Sequence, residues 1–145
     1  MHIRQIEFGT KNYHELVKFR YFNLRKPLNI KWNSDDLKNE NEQIHFALIK
    51  KNKIIGSCLL KYLDNKNARI RQMAISKEFQ NNGYGKKLLR FVEQYAISHN
   101  VIRINIIARI SAIGFYLNEG YEKDGKTFID VTVKSIKMIK FLGNE

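Results

Sequence analysis

The sequence predicts a mixed α/β domain: a mostly antiparallel sheet with helices on its faces. Three observations lead there. Three strand-like runs crowd together between residues 44 and 76, a helical stripe precedes them, and an alternation of helix and strand follows. At 145 residues, with 43% hydrophobic and 28% charged, the chain has the composition of one globular domain, residues 1–145. It shows no linker, internal repeat or low-complexity stretch.

His2 to Phe8 alternates through Ile3, Ile6 and Phe8 and reads as an edge strand. Thr10 offers a helix start, and Leu16, Val17, Phe19 or Arg20, and Leu24 make a stripe from Asn12 to Leu24 that ends before Pro27. A short second helix is expected from Ser34, which would cap it, with Asp35 and Asp36 favourable to the dipole and Leu37 facing inward. Ile44–Ile49 and Ile54–Leu63 are strands joined at Lys50-Lys51-Asn52-Lys53. After a turn at Asp64-Asn65-Lys66-Asn67 comes a third, Ala68–Ser76. Its alternation places Ile70, Gln72 and Ala74 on one face and Arg71, Met73 and Ile75 on the other, completing an antiparallel meander. Gly85 to His99 carries Leu88, Leu89, Val92, Tyr95 and Ala96 at helical spacing. Val101–Ala108 is a strand, Ser111–Glu119 a short helix stopped by Gly120, and Tyr121–Leu142 two strand-like runs around Gly125 and Val133-Lys134.

No apolar run reaches the roughly 18 residues of a membrane span, and the N-terminus lacks a signal-peptide block, so no membrane partner and a cytoplasmic location are expected. Cys58 is the single cysteine, which excludes an intramolecular disulfide framework; in an apolar strand it reads as a core residue. His2, His14, His45 and His99 show no ligand spacing, and His14-Glu15-Leu16-Val17-Lys18 lacks the second histidine of a zinc-protease helix, so no metal is expected. The net charge of +12 divides evenly between residues 1–66 and 67–145. A nucleic-acid module would concentrate that charge on one element, so no nucleic-acid partner is expected.

The stretch richest in chemistry is Gln80-Asn81-Asn82-Gly83-Tyr84-Gly85-Lys86-Lys87, between a strand and a helix. Its glycines permit positive φ and close approach, the helix start offers free N–H groups, and two lysines add charge: together, an anion cradle. A dinucleotide fingerprint would need glycine where Leu88 stands. A nucleotide P-loop would need glycine at Gln80 and Ser or Thr at Lys87.

The pattern instead resembles the Gcn5-related N-acetyltransferase (GNAT) family, whose signature is Gln or Arg, two residues, Gly, one residue, then Gly or Ala. Met73-Ala74-Ile75 looks like that family's fourth strand, and Ala112 to Tyr121 is similar to its Ala-x-x-Phe-Tyr-x-x-x-Gly-Phe motif. Leu24 to Leu28 and Glu42 to His45 resemble a subgroup of small bacterial members that includes the ElaA-like proteins. The resemblance implies a GNAT-like fold whose sheet splays between strands 4 and 5, with the pantetheine arm of acetyl-coenzyme A in the gap. Met73, Ala74 and Ile75 would bond that arm through backbone groups, and Gln80, Asn81, Asn82, Gly83, Tyr84, Gly85 and Lys86 would hold the pyrophosphate. Ser111 and Tyr116 complete the implied cofactor set.

The implied reaction is attack of a neutral primary amine on the thioester, with the oxyanion held by the Ile75 N–H and Tyr116 as acid for the departing thiolate. Reference values leave transfer from phenol to thiolate uphill by about 2 kcal/mol, so either the phenol is lowered or hydrogen bonding does most of the stabilising. No general base stands out: Glu78 reads as a structural loop acid, Asp130 and His45 are the possible bases, and an amine can also lose its proton to water. Arg109 and Ser135 stand where the family often carries Asn and, in the similar subgroup, His. Trp32, with Tyr21, Phe22 and Arg25, either lines an acceptor pocket or forms a satellite cluster. The acceptor is a small-molecule or protein amine. A coenzyme A sensor without turnover, or a basic nucleic-acid module, is the alternative reading, and the C-terminal strands offer a surface for a homodimer.

Overall fold

The computed structural model describes residues 1–32 and 37–143. Its sheet runs β1 (His2–Ile6), β2 (Ile44–Lys50), β3 (Lys53–Tyr62), β4 (Asn67–Ile75), β5 (Arg103–Arg109), β8 (Val133–Phe141), β6 (Glu122–Lys123), and β7 (Phe128–Asp130) also pairs with β8. The predicted meander is present. Lys51 and Asn52 both adopt positive φ in the β2–β3 hairpin, and Asp64 Oδ1 accepts from the N–H groups of Lys66 and Asn67 to close the next turn. The sheet is antiparallel except where β4 meets β5.

Helices cover both faces. α2 (Tyr84–Ser98) buries Leu88, Leu89, Val92 and Ala96 in the main core, together with Phe46, Leu60, Ile70 and Ile104. α1 (Lys11–Arg20) packs Tyr13 and Leu16 against Ile6 and Ala47 on the opposite face. Thr10 caps it, its hydroxyl accepting from the Tyr13 N–H at 3.2 Å. α3 (Ile113–Asn118) follows a 3₁₀ turn at Ile110–Ala112. None of the described helices is long and apolar enough to cross a membrane.

Four local expectations are corrected. β1 stops at Ile6 because the chain turns through Gly9, at φ +83°, into the Thr10 cap, leaving Phe8 exposed. The first helix ends at Arg20 and continues as a π-helical turn, Tyr21–Arg25, and a 3₁₀ turn, Lys26–Leu28. It is Arg20 that the stripe buries, because Glu40 neutralises it; Phe19 remains partly exposed. The third correction concerns β4. Ser57 pairs with Ala74 but Leu59 pairs with Arg71, so Gln72, at φ +53°, is an extra residue. The bulge reverses the alternation: Ile75, opposite Gly56, shares the α2 face with Ile70, opposite Leu60. A Cβ on Gly56 would lie 2.9 Å from Ile75 Cδ1, so that position admits only glycine without movement. Lastly, Leu37 lies in a turn, whereas Ser34, Asp35 and Asp36 of the expected second helix fall outside the described residues.

Candidate active site

Parallel pairing between β4 and β5 runs only from Asn67–Arg103 to Ile70–Ile106. Beyond it Arg71–Ile75 and Ile107–Arg109 are unpaired with each other, and a cleft of about 1020 Å³ occupies the gap. The bulge begins where the pairing ends. Ser76 donates its N–H to the Ile55 carbonyl at 2.8 Å, so by the alternation of an antiparallel ladder the N–H and C=O of Ile75 point away from β3, toward the gap. Gln80 Nε2 donates to that carbonyl at 2.9 Å, tying the end of β4 to the loop before α2. The Ile75 N–H is thereby left facing the cleft.

Met73, Ala74 and Ile75 line the cleft from β4, Gln80, Asn81 and Gly83 from the loop, and Gly85 and Lys86 from α2. Ser111 and Tyr116 line it from the β5 side. Two expected residues turn elsewhere. Asn82 Nδ2 donates to the Gln80 carbonyl at 3.0 Å, and the Tyr84 hydroxyl accepts from Lys50 Nζ at 2.9 Å, so neither side chain lines the cleft and their backbone groups are what they offer it.

The α2 start suits a diphosphate. Gly83, at φ +81°, is its N-cap and supplies no side-chain bond, so the N–H groups of the first turn have no intrahelical acceptor. A Cβ at Gly83 would meet no atom within 4 Å, and one at Gly85 would reach the Phe115 ring at 3.5 Å. Lys86 adds a positive charge to the helix dipole. Gln72 also borders the cleft, and its side-chain oxygen is a buried acceptor with no protein donor.

Tyr116 is 7% exposed, and burial, with a smaller contribution from Cys58, pushes its phenol well above the ordinary range. It therefore stays protonated. Of the candidate bases only Asp130 lines the cleft. Glu78 is exposed and faces Lys53 at 3.7 Å. His45 is buried, its Nε2 2.8 Å from the Glu40 carbonyl, and burial lowers its pKa first, with Arg20 and Arg71 adding to the effect. Cys58 is core, its thiol pushed up by burial. Among the described residues no three His, Cys, Asp or Glu side chains gather as a metal site.

Sequence reasoning missed a buried charge network beside the cleft. Arg20 makes a forked ion pair with Glu40, both side chains fully buried, and the Tyr13 hydroxyl donates to Glu40 Oε1 at 2.8 Å. Burial alone would raise the Glu40 carboxyl, but the Arg20 bonds and charge outweigh it and hold it low. Trp32 belongs to this satellite cluster, with the Arg25 guanidinium 4.6 Å from its ring centroid; Arg25 borders the cleft as well. Arg69 and Arg71 also border the cleft. Their alternate spacing on β4 was the available signal.

A model of the acetyltransferase (GNAT) family matches residues 10–121. The structure is similar to a GNAT-family acetyltransferase of Staphylococcus aureus Mu50, at 25% identity and a TM-score of 0.79 over 98% of this chain and 100% of that one. It is similar to Escherichia coli ElaA, at 14% identity and a TM-score of 0.81 over 96% and 98%. A GNAT-family acetyltransferase of Elizabethkingia anophelis, solved with acetyl-coenzyme A bound, matches at 18% identity and a TM-score of 0.72 over 97% of each chain.

Proposed function

We propose, from the premise that the chain belongs to the acetyltransferase (GNAT) family and uses acetyl-coenzyme A as cosubstrate, that it acetylates a primary amine by direct attack on the thioester. The observation that carries this reading is the convergence of an uncapped α2 N-terminus, the inward Ile75 N–H and Tyr116 on one cleft. The N–H groups from Gly83 to Lys86 would hold the diphosphate, and the unpaired edge of β4 at Met73–Ile75 would bond the extended arm. When bound, the thioester supplies an acyl carbon open to nucleophiles.

The amine must be neutral to attack. Asp130, a carboxylate bordering the cleft, would take its proton, with water as the other route. As the C–N bond forms and the C–S bond breaks, the Ile75 N–H donates to the carbonyl oxygen that gains charge. Tyr116 donates a hydrogen bond to the departing sulfur. Its raised pKa widens the uphill gap to a thiol near 8.5, so the phenol keeps its proton and stabilises the thiolate without transferring it.

Thermal unfolding with acetyl-coenzyme A, ATP and NAD tests the cofactor part. Acetyl-coenzyme A at about 100 times its dissociation constant should add about 2.7 kcal/mol of stability, visible as a raised midpoint. Equal shifts with all three would reduce the cradle to a basic surface. With selective stabilisation established, acetyl transfer to a panel of primary amines tests the rest; no transfer to any of them would leave a sensor.

A further inference from the structure

We propose that the acceptor is a small primary amine bearing an oxyanion group, a carboxylate or a phosphate, recognised by Arg69, Arg71 and Arg109. This rests on the transferase reading above and names its substrate class. Register brings the three guanidiniums together. Arg69 and Arg71 precede the Gln72 bulge and alternate with Ile70, which faces α2, so both project from the α1 face of the sheet. Arg69 pairs with Asn105, and Arg109 lies two alternations further along β5, on that same face. All three border the cleft.

Each is bonded to a neutral acceptor: Arg71 Nη1 to Gln43 Oε1 at 2.7 Å, Arg69 Nε to Asn105 Oδ1 at 2.5 Å, and Arg109 Nη2 to the Leu24 carbonyl at 3.0 Å. Among the described residues none of the three forms an ion pair. Among the described residues two carboxylates border the cleft. Glu119 is bound by Arg90 at 3.0 Å, and Asp130 alone faces Arg109. Burial lowers the Arg71 guanidinium, and the charges of Arg20, Arg69 and Arg25 press the same way against Glu40. Partly buried cations that outnumber the anions near them are costly, and a guanidinium fork fits carboxylate and phosphate in two-point contact. The diphosphate cradle lies at the α2 N-terminus, on the other face, so these arginines are a second anion site. A cleft of about 1020 Å³ is of small-molecule size. A polyamine would bring like charge to this face.

Acetyl transfer compared across γ-aminobutyrate, n-butylamine and putrescine, and between phosphoethanolamine and ethanolamine, tests the charge preference. The anionic amines should exceed their neutral counterparts in kcat/KM by at least about tenfold, with putrescine poorest. Arg71→Gln and Arg109→Gln should each lower the anionic-to-neutral ratio about tenfold, mainly through KM. Their acetyl-coenzyme A midpoint shifts should match the parent's, which also verifies folding. Calorimetric titration of each amine into the coenzyme A complex reads the site without turnover. Saturable binding of the anionic amines, weakened in both variants but accompanied by no transfer, would uphold the anion site and overturn the transferase reading. Equal or better binding of n-butylamine or putrescine would overturn this inference. So would loss of the acetyl-coenzyme A shift in both variants, which would assign the arginines to the cofactor's phosphates.

Discussion

Tyr116 and Glu40 show how differently two buried polar side chains depend on their surroundings. Tyr116 has burial raising its pKa, so its hydroxyl remains a donor through the neutral and mildly alkaline range. Tyr116→Phe should lower turnover at least about tenfold with little change in acetyl-coenzyme A affinity, and the parent's rate should show no fall from phenol ionisation as pH passes 10. Steady-state kinetics across pH check both; unchanged turnover in the variant would remove the residue from the reaction. Glu40 is held low by Arg20, with the Tyr13 hydroxyl on the same carboxylate. Glu40→Gln should cost about 3–5 kcal/mol because it leaves Arg20 charged and buried, and denaturant titration would show a midpoint unmoved if the pair were dispensable. Glu40's stabilisation is present above the ordinary carboxyl value of 4.5 and lost as pH falls below it. His45 is also lowered, so as pH falls below its ordinary 6.5 the unfolded chain takes up a proton that the buried ring resists, and stability should begin to decline there.

At the scale of elements, two irregularities shape the cleft. The Gln72 bulge re-aims β4 where its pairing with β5 ends, and the π-helical turn at Tyr21–Arg25 carries Leu24 and Arg25 to the cleft rim. A third lies in the β7–β8 hairpin, where Val131 and Thr132 occupy left-handed φ of 46° and 64°. Such a turn favours Asn-Gly, and a β-branched residue there costs about 1–3 kcal/mol. Val131→Asn combined with Thr132→Gly should therefore raise stability by about 1–2 kcal/mol, measured as a shift in denaturant midpoint. No gain would mean that side-chain contacts offset the cost. Asp130 and Val131 border the cleft, so the turn's conformation also aims the candidate base.

For the molecule as a whole, buried phenols set an alkaline limit. Burial raises Tyr13, Tyr62, Tyr116 and Tyr121, the first and last assisted by the carboxylates of Glu40 and Glu93. A phenol raised in the folded state contributes stability that is complete below its unfolded value near 10 and is lost as pH climbs above it. Of the seven tyrosines, the buried Tyr13, Tyr116 and Tyr121 should stay un-ionised until cooperative unfolding, followed by tyrosinate absorbance; smooth ionisation of all seven near pH 10 with the fold intact would contradict this. The strand order from β1 to β5, the meander, the glycine–lysine loop before α2 and the helical segment of Tyr116 were readable along the chain, because periodicity and turn residues are local signals. Glu93 escaped that reading, since only the fold brings it the Tyr121 hydroxyl at 2.7 Å and Lys140 at 3.0 Å. So did the Arg20–Glu40 pair, the extra residue at Gln72 and the grouping of Arg69 and Arg71 with Arg109. Each depends on strand register or on partners tens of residues away, which the chain acquires only when the sheet closes and decides which side chains share a face.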